Sequence, residues 1–170
     1  MDLLPRVVLV GAEGVVASFR RSFPRLLSLV LAAKLMGVKA TIVMPVTTPE
    51  IKIASVRSRG AKDVLFGDTF NRALTQALIL EKERGLHFIH PFDDPEIIAG
   101  QGTVAMEILH QHSGAIDAIF IPVGGGGLIA GVAAYVKYVR PETKIIGVEY
   151  EESACLAAAM AAGRRVTLKQ

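Results

Sequence analysis

Short apolar, β-branched runs alternate with helix-forming stretches along almost the whole chain, and the punctuation between them is brief. Val7–Val10, Lys39–Met44, Ala61–Phe66, Leu86–Ile89, Ala118–Val123 and Lys144–Glu149 read as strands, with Val15–Ala17 a further short one. A helix is predicted from Pro24 to Met36, stopped by Gly37, and a second opens at Thr48-Pro49-Glu50 and ends at Gly60. Asp68/Thr69 opens a long helix to Arg84 that Gly85 closes. Asp94-Pro95-Glu96 opens another, interrupted at Gly100 and Gly102 and carrying on to His112. Leu128–Val139 and Ser153–Ala162 complete the series. A hairpin joins antiparallel strands, whereas crossovers of about a dozen residues or more join parallel ones and put helices over the sheet. The expected fold class is therefore α/β, with doubly wound parallel sheets.

Composition agrees and narrows the function classes. The 170 residues are 51% hydrophobic and 21% charged, too apolar for disorder and long enough to bury a core. One cysteine, Cys155, excludes a disulfide framework. Without tryptophan and with three tyrosines, the chain has no aromatic platform for single-stranded nucleic acid. The net charge of +3 is local, because Arg6, Arg20, Arg21, Arg25 and Lys34 face only Asp2 and Glu13 in residues 1–34, and the remainder is balanced. That distribution predicts no nucleic-acid partner.

Phe19–Arg25 followed by Leu26–Ala33 has the outline of a signal peptide, a basic stretch before a short apolar one. The apolar stretch falls well short of the roughly 20 residues that span a bilayer. It reads instead as a buried helix, and no membrane partner is expected.

The strongest chemical signal is Gly124–Gly127, between the apolar strand Ala118–Val123 and the helix Leu128–Val139. Each glycine costs backbone entropy, and a tight strand–helix turn needs only one or two. Backbone N–H groups at a helix start, with no side chains in the way, suit a phosphate. Two cofactor classes fit this position. Gly125-x-Gly127-x-x-Ala130 matches a dinucleotide pattern, with Glu149 ending the next strand where a ribose-binding acid would lie. The alternative is a phosphorylated cofactor of another kind.

Further residues separate the two. Leu31–Pro45, Pro49–Ile53, Pro91–Pro95 (PFDDP), Ile98–Thr103 (IAGQGT), Pro122–Leu128 (PVGGGGL), Ile146–Glu149 and Ser153–Leu156 (SACL) occur in an order and spacing that resembles the pyridoxal-phosphate-dependent threonine dehydratases, of the tryptophan-synthase-β-like fold. Serine dehydratases and serine racemases share much of the pattern. The resemblance implies pyridoxal 5'-phosphate as cofactor and loss of water and ammonia from L-threonine to give 2-oxobutanoate for isoleucine synthesis. It further implies a threonine or serine substrate, a homo-oligomer, and a cytoplasmic or organellar setting. By the same resemblance Gly124, Gly125, Gly126, Gly127 and Leu128 hold the cofactor phosphate. The expected organisation is an atypical segment over residues 1–34, a small lobe over 35–97 and the start of a large cofactor-binding lobe over 98–170.

The N-terminal region departs from that family. Its Schiff-base lysine lies in a Ser-x-Lys context upstream of the strand matching Gly14–Ala17, whereas the first lysine here is Lys34, within a predicted helix. Where the family has a Ser-Ala-Gly-Asn-His loop, this chain reads Ser18-Phe19-Arg20-Arg21-Ser22-Phe23-Pro24-Arg25. The family's partner for the pyridine nitrogen is expected beyond Gln170. The expectation is an incomplete dehydratase with no catalytic residue of its own and no turnover by itself. A non-catalytic half-domain that associates with a full-length homologue is the other reading.

The remaining candidates point to structure. His87/His90 and His110/His112 lack the helical spacing of a metal pair, and no metal site is expected. The cation site that some relatives build from the acid matching Glu149 is undermined by Ser153 and Cys155 at the following positions. Cys155 reads as a small core residue, Asp93/Asp94 as a helix cap before Pro95, and Ser18–Arg25 as solvated.

Overall fold

The computed structural model describes residues 6–10 and 24–168, with side chains from Leu29 onward. The expected strand Val15–Ala17 and the basic stretch beginning at Ser18 lie outside the described residues, apart from the helical backbone from Pro24. The chain divides into two compact units, Met1–Pro91 and Phe92–Gln170. This division precedes the helix opened by Asp94, whereas the boundary expected at residues 97/98 falls inside that helix.

In the first unit, β1 (Arg6–Val10), β2 (Lys39–Met44), β3 (Lys62–Leu65) and β4 (His87–Ile89) form one parallel sheet in the order β3-β2-β1-β4. α1 (Pro24–Leu35), α2 (Glu50–Arg57) and α3 (Phe70–Arg84) connect them. Strand periodicity sorts the core. Ala40, Ile42 and Met44 of β2 meet Val30, Ala33, Ile53 and Val56 from α1 and α2. Val43 points the other way, to Ala73, Ala77 and Leu80 of α3. Helices therefore cover both faces of β2, the doubly wound arrangement expected from the alternating pattern.

The second unit contains α4 (Pro95–Gln111), β5 (Ala118–Pro122), α5 (Gly127–Val139), β6 (Lys144–Val148) and α6 (Cys155–Ala162). β5 and β6 pair in parallel from Ala118↔Lys144 to Pro122↔Val148. Ile121, Val132, Val136 and Ala105 form the core, with Ile119 and Ile145 packed against it.

Several local expectations need correction. Thr48 does not cap α2: Pro49 occupies the cap position, and the Thr48 hydroxyl is buried without a hydrogen-bond partner. Thr69 stands at the start of α3 without a side-chain cap, and Asp68 faces Arg72 at 3.7 Å instead. α4 is not interrupted at Gly100 and Gly102 but runs through both. Gly102 serves a helix crossing, because a Cβ there would lie 3.2 Å from the Gly131 carbonyl oxygen, and one on Gly131 would lie 2.7 Å from the Gly102 nitrogen. Glycine tolerated in a helix interior is thus explained by close approach of α5. Ser153 ends a 3-10 turn (Glu151–Ser153), and α6 starts at Cys155. At Gly85, by contrast, the expected stop holds, with φ +58 and its N–H donating to Glu81 O. No helix among the described residues is long and apolar enough to cross a membrane.

Candidate functional site

The second unit has two differently built ends. At the N-terminal ends of its strands, the buried Thr143 hydroxyl donates to Ile116 O at 2.9 Å. Lys137 Nζ donates to the carbonyls of Pro141 and Thr143 at 2.9 and 2.7 Å, and Arg140 donates to Gly114 O at 2.7 Å. These cations satisfy backbone oxygens and tie down the turns there. The glycine loop lies at the opposite, C-terminal ends of β5 and β6, where parallel α/β sheets place their ligands.

Gly126 has φ +88 and is the N-cap of α5, a position that favours glycine sterically. The first-turn N–H groups that follow have no carbonyl partner within the helix, and Ala130 N donates back to Gly126 O at 3.0 Å. The other glycines divide by their surroundings. A Cβ on Gly125 would run into the Phe92 ring, with Cδ2 at 2.8 Å, and one on Gly127 would lie 2.6 Å from Phe92 O. Gly124 has no such neighbour and no positive φ, and a Cβ on Gly124 or Gly126 would meet nothing within 4 Å. One side of the loop is thus closed by Phe92, while the other admits a group that needs bare backbone. A phosphate fits this arrangement.

Phe92 reaches the loop because α4 begins beside it. Asp94 Oδ1 accepts Glu96 N at 2.9 Å and Ile97 N at 3.2 Å, and Pro95 follows as the first helical residue. The capping role expected of Asp94 is what the structure shows. Asp93 lies 3.9 Å from exposed Arg165.

Glu149 also turns out to be structural. Its Oε1 accepts Leu156 N at 2.9 Å and its Oε2 accepts Ala157 N at 2.8 Å. A carboxylate with both oxygens committed to the first turn of α6 is poorly placed to recognise a ribose, so the dinucleotide reading loses its acid. Cys155 is half-buried at the start of α6, with Sγ 3.7 Å from Glu149 Oε1 and 3.9 Å from Gly124 O. It joins the cap to the loop instead of sitting in a core. Among the described residues, no group of three His, Cys, Asp or Glu side chains is arranged to hold a metal. His90 instead meets the Phe88 ring edge-on, with centroids 6.0 Å apart.

Sequence reasoning found the loop and missed Phe92. The PFDDP stretch carried the signal, but nothing in its spacing indicates that its aromatic ring lies under a glycine more than thirty positions later.

A family model described as pyridoxal-phosphate dependent enzyme matches residues 27–170. The chain belongs to that family. A biosynthetic L-threonine dehydratase of Burkholderia multivorans is 57% identical over 142 residues, 82% of this chain and 28% of that protein. A chloroplastic biosynthetic threonine dehydratase of Arabidopsis thaliana is 53% identical over 159 residues, covering 94% of this chain and 26% of that protein. Among solved structures, the processed threonine deaminase isoform 2 of Solanum lycopersicum superposes with a TM-score of 0.85 at 45% identity, over 99% of this chain and 46% of that one. Maize serine racemase gives a TM-score of 0.84 at 32% identity. The fold is thus that of pyridoxal-phosphate dependent ammonia-lyases and racemases, and the chain spans little more than a quarter of those two curated relatives.

Proposed function

We propose that this chain provides the phosphate-holding part of a threonine dehydratase site, the reaction being conversion of L-threonine to 2-oxobutanoate and ammonia in isoleucine biosynthesis. The observation that carries the reading is the loop Gly124–Gly127, open at Gly124 and Gly126 at the start of α5. Gly124, Gly125, Gly126, Gly127 and Leu128 hold the phosphate of pyridoxal 5'-phosphate through main-chain N–H groups, and the α5 dipole adds favourable potential. The cofactor, when bound, supplies an electron sink for the substrate's α-carbon. Threonine is preferred to serine as substrate because the more similar relatives are named threonine dehydratases, at 46–57% identity for the three leading ones, against 32% for maize serine racemase.

The same reading assigns residues 35–97 to a small lobe and 98–170 to the start of a cofactor-binding lobe, after the atypical segment 1–34. No lysine precedes Lys34, and Lys34 is an exposed residue in the last turn of α1. The chain alone then holds no Schiff-base lysine and no base for the α-proton, and it captures cofactor weakly. The same reading makes the chain part of a homo-oligomer in the cytoplasm, or in an organelle of a eukaryotic cell.

The test is to titrate the purified chain with pyridoxal phosphate and with NAD, then add L-threonine and assay 2-oxobutanoate. The expected result is weak, phosphate-competed binding of pyridoxal phosphate, no NAD binding and no turnover. Binding of NAD alone would overturn the cofactor assignment, and robust turnover would overturn the claim of catalytic incompleteness.

A further inference from the structure

A run of four glycines is a poor binding element unless something restrains it, because each glycine samples a wide range of backbone angles and must surrender that freedom when a ligand binds. The restraint is visible on one side only. Phe92 meets Gly125 through its ring and Gly127 through its own main chain, Cα included at 3.2 Å. Alternate glycines thus rest on one residue, and the flat contact requires that neither carry a Cβ. Phe92 is fixed in turn, since the Asp94 cap and Pro95 set the direction in which the chain enters α4. The Gly102–Gly131 approach then fixes α4 against α5, the helix into which the loop runs.

We propose that Phe92 is a positioning residue that holds Gly124–Gly127 in its binding conformation before any anion arrives. Its functional consequence rests on the reading of the loop as a phosphate cradle, but the conformational claim stands on the contacts alone. Preorganisation of this kind lowers the ordering cost of binding and appears directly in affinity.

The experiment uses the full chain and three variants, Phe92→Ala, Phe92→Leu and Phe92→Tyr. Amide hydrogen exchange is followed residue by residue without ligand, and 15N amide shifts are then followed during titration with inorganic phosphate and with pyridoxal phosphate. Phe92→Leu keeps an apolar side chain at the site, so it carries the test should Phe92→Ala fail to fold. The expected result is exchange at Gly125–Leu128 faster by about tenfold in Phe92→Leu, with Val132 and Val136 in the α5 core unchanged. Phosphate affinity falls by a similar factor of about ten. Phe92→Tyr, which keeps the ring, restores both. Loop exchange in Phe92→Leu within about twofold of wild type would overturn the proposal, as would equal acceleration in the α5 core, which marks general loosening. If wild type binds neither phosphate nor cofactor while loop exchange responds to Phe92→Leu, the positioning role stands and the phosphate reading of the loop fails.

Discussion

Glu149 accepts the Leu156 N–H at 2.9 Å, and through its second oxygen it also takes the next amide of α6. Ala154, at the N-cap of α6, has no side-chain acceptor to offer, so a carboxylate at the end of β6 does the capping from outside the helix. Glu149→Ala is expected to lower stability by about 1 kcal/mol, the usual cost of losing a cap, and Glu149→Gln by less because one oxygen acceptor remains. Urea denaturation of the two variants checks this, and an unchanged midpoint for the alanine variant would contradict it.

The α4–α5 crossing gives a paired prediction from two glycines of similar helical setting. A Cβ on Gly131 would collide with the Ile98 carbonyl oxygen and lie 2.9 Å from Gln101 Cβ, whereas one on Gly100 would meet nothing within 4 Å. Gly131→Ala should destabilise by about 1–3 kcal/mol through overpacking. Gly100→Ala should stabilise by about 0.5–1 kcal/mol through reduced backbone entropy in an exposed helix interior. Thermal or chemical denaturation of both variants decides the sign of each.

The sequence makes the alternation of elements legible because strand and helix periods differ and because proline and glycine act locally. Asp94-Pro95-Glu96 and Gly85 act where their spacing says they should. Interactions between elements are less legible. Thr48-Pro49-Glu50 resembles a cap, yet the Thr48 hydroxyl is buried away from the helix amides. Gly102 resembles an interruption because the Gly131 backbone that occupies its missing side chain comes from another helix. The glycine loop shows the same limit. Four adjacent glycines announce a close approach, but only the tertiary structure distinguishes those that meet Phe92 from those that face outward.

Arg57 and Asp63 form a two-point pair across α2 and β3, with Nε and one terminal nitrogen donating at 2.9 and 2.8 Å. The Arg57 hydrogen bond holds the Asp63 carboxyl below its ordinary pKa; burial is the next largest effect and opposes it, and the Arg57 charge and a backbone hydrogen bond lower it further. A carboxyl depressed in the folded state contributes stability above its unfolded pKa and loses that contribution as pH falls through the folded value. Wild type should therefore lose stability relative to Asp63→Asn on acidification below about pH 4, where an unfolded aspartate begins to bind protons. Denaturation midpoints compared between neutral pH and the acid window provide the check, and parallel curves for the two proteins would show that the pair adds nothing.

Gly124 offers the sharpest separation of binding from folding. It is not a positive-φ glycine, and a Cβ there would meet nothing within 4 Å, so Gly124→Ala should fold with wild-type stability to within about 0.5 kcal/mol. Gly126→Ala differs, because φ +88 strains any side chain, and a loss of about 1 kcal/mol or more is expected before binding is considered. If the open side of the loop receives a phosphate, the methyl group of Gly124→Ala projects into that space and holds the anion away from the main-chain amides. Phosphate and pyridoxal phosphate affinity should then fall by about tenfold or more while the denaturation midpoint stays put. Isothermal titration beside urea denaturation reads both quantities on one preparation. Wild-type affinity in Gly124→Ala would mean that the glycine at this position serves neither packing, backbone angle nor ligand, leaving the cradle to Gly125, Gly126, Gly127 and Leu128.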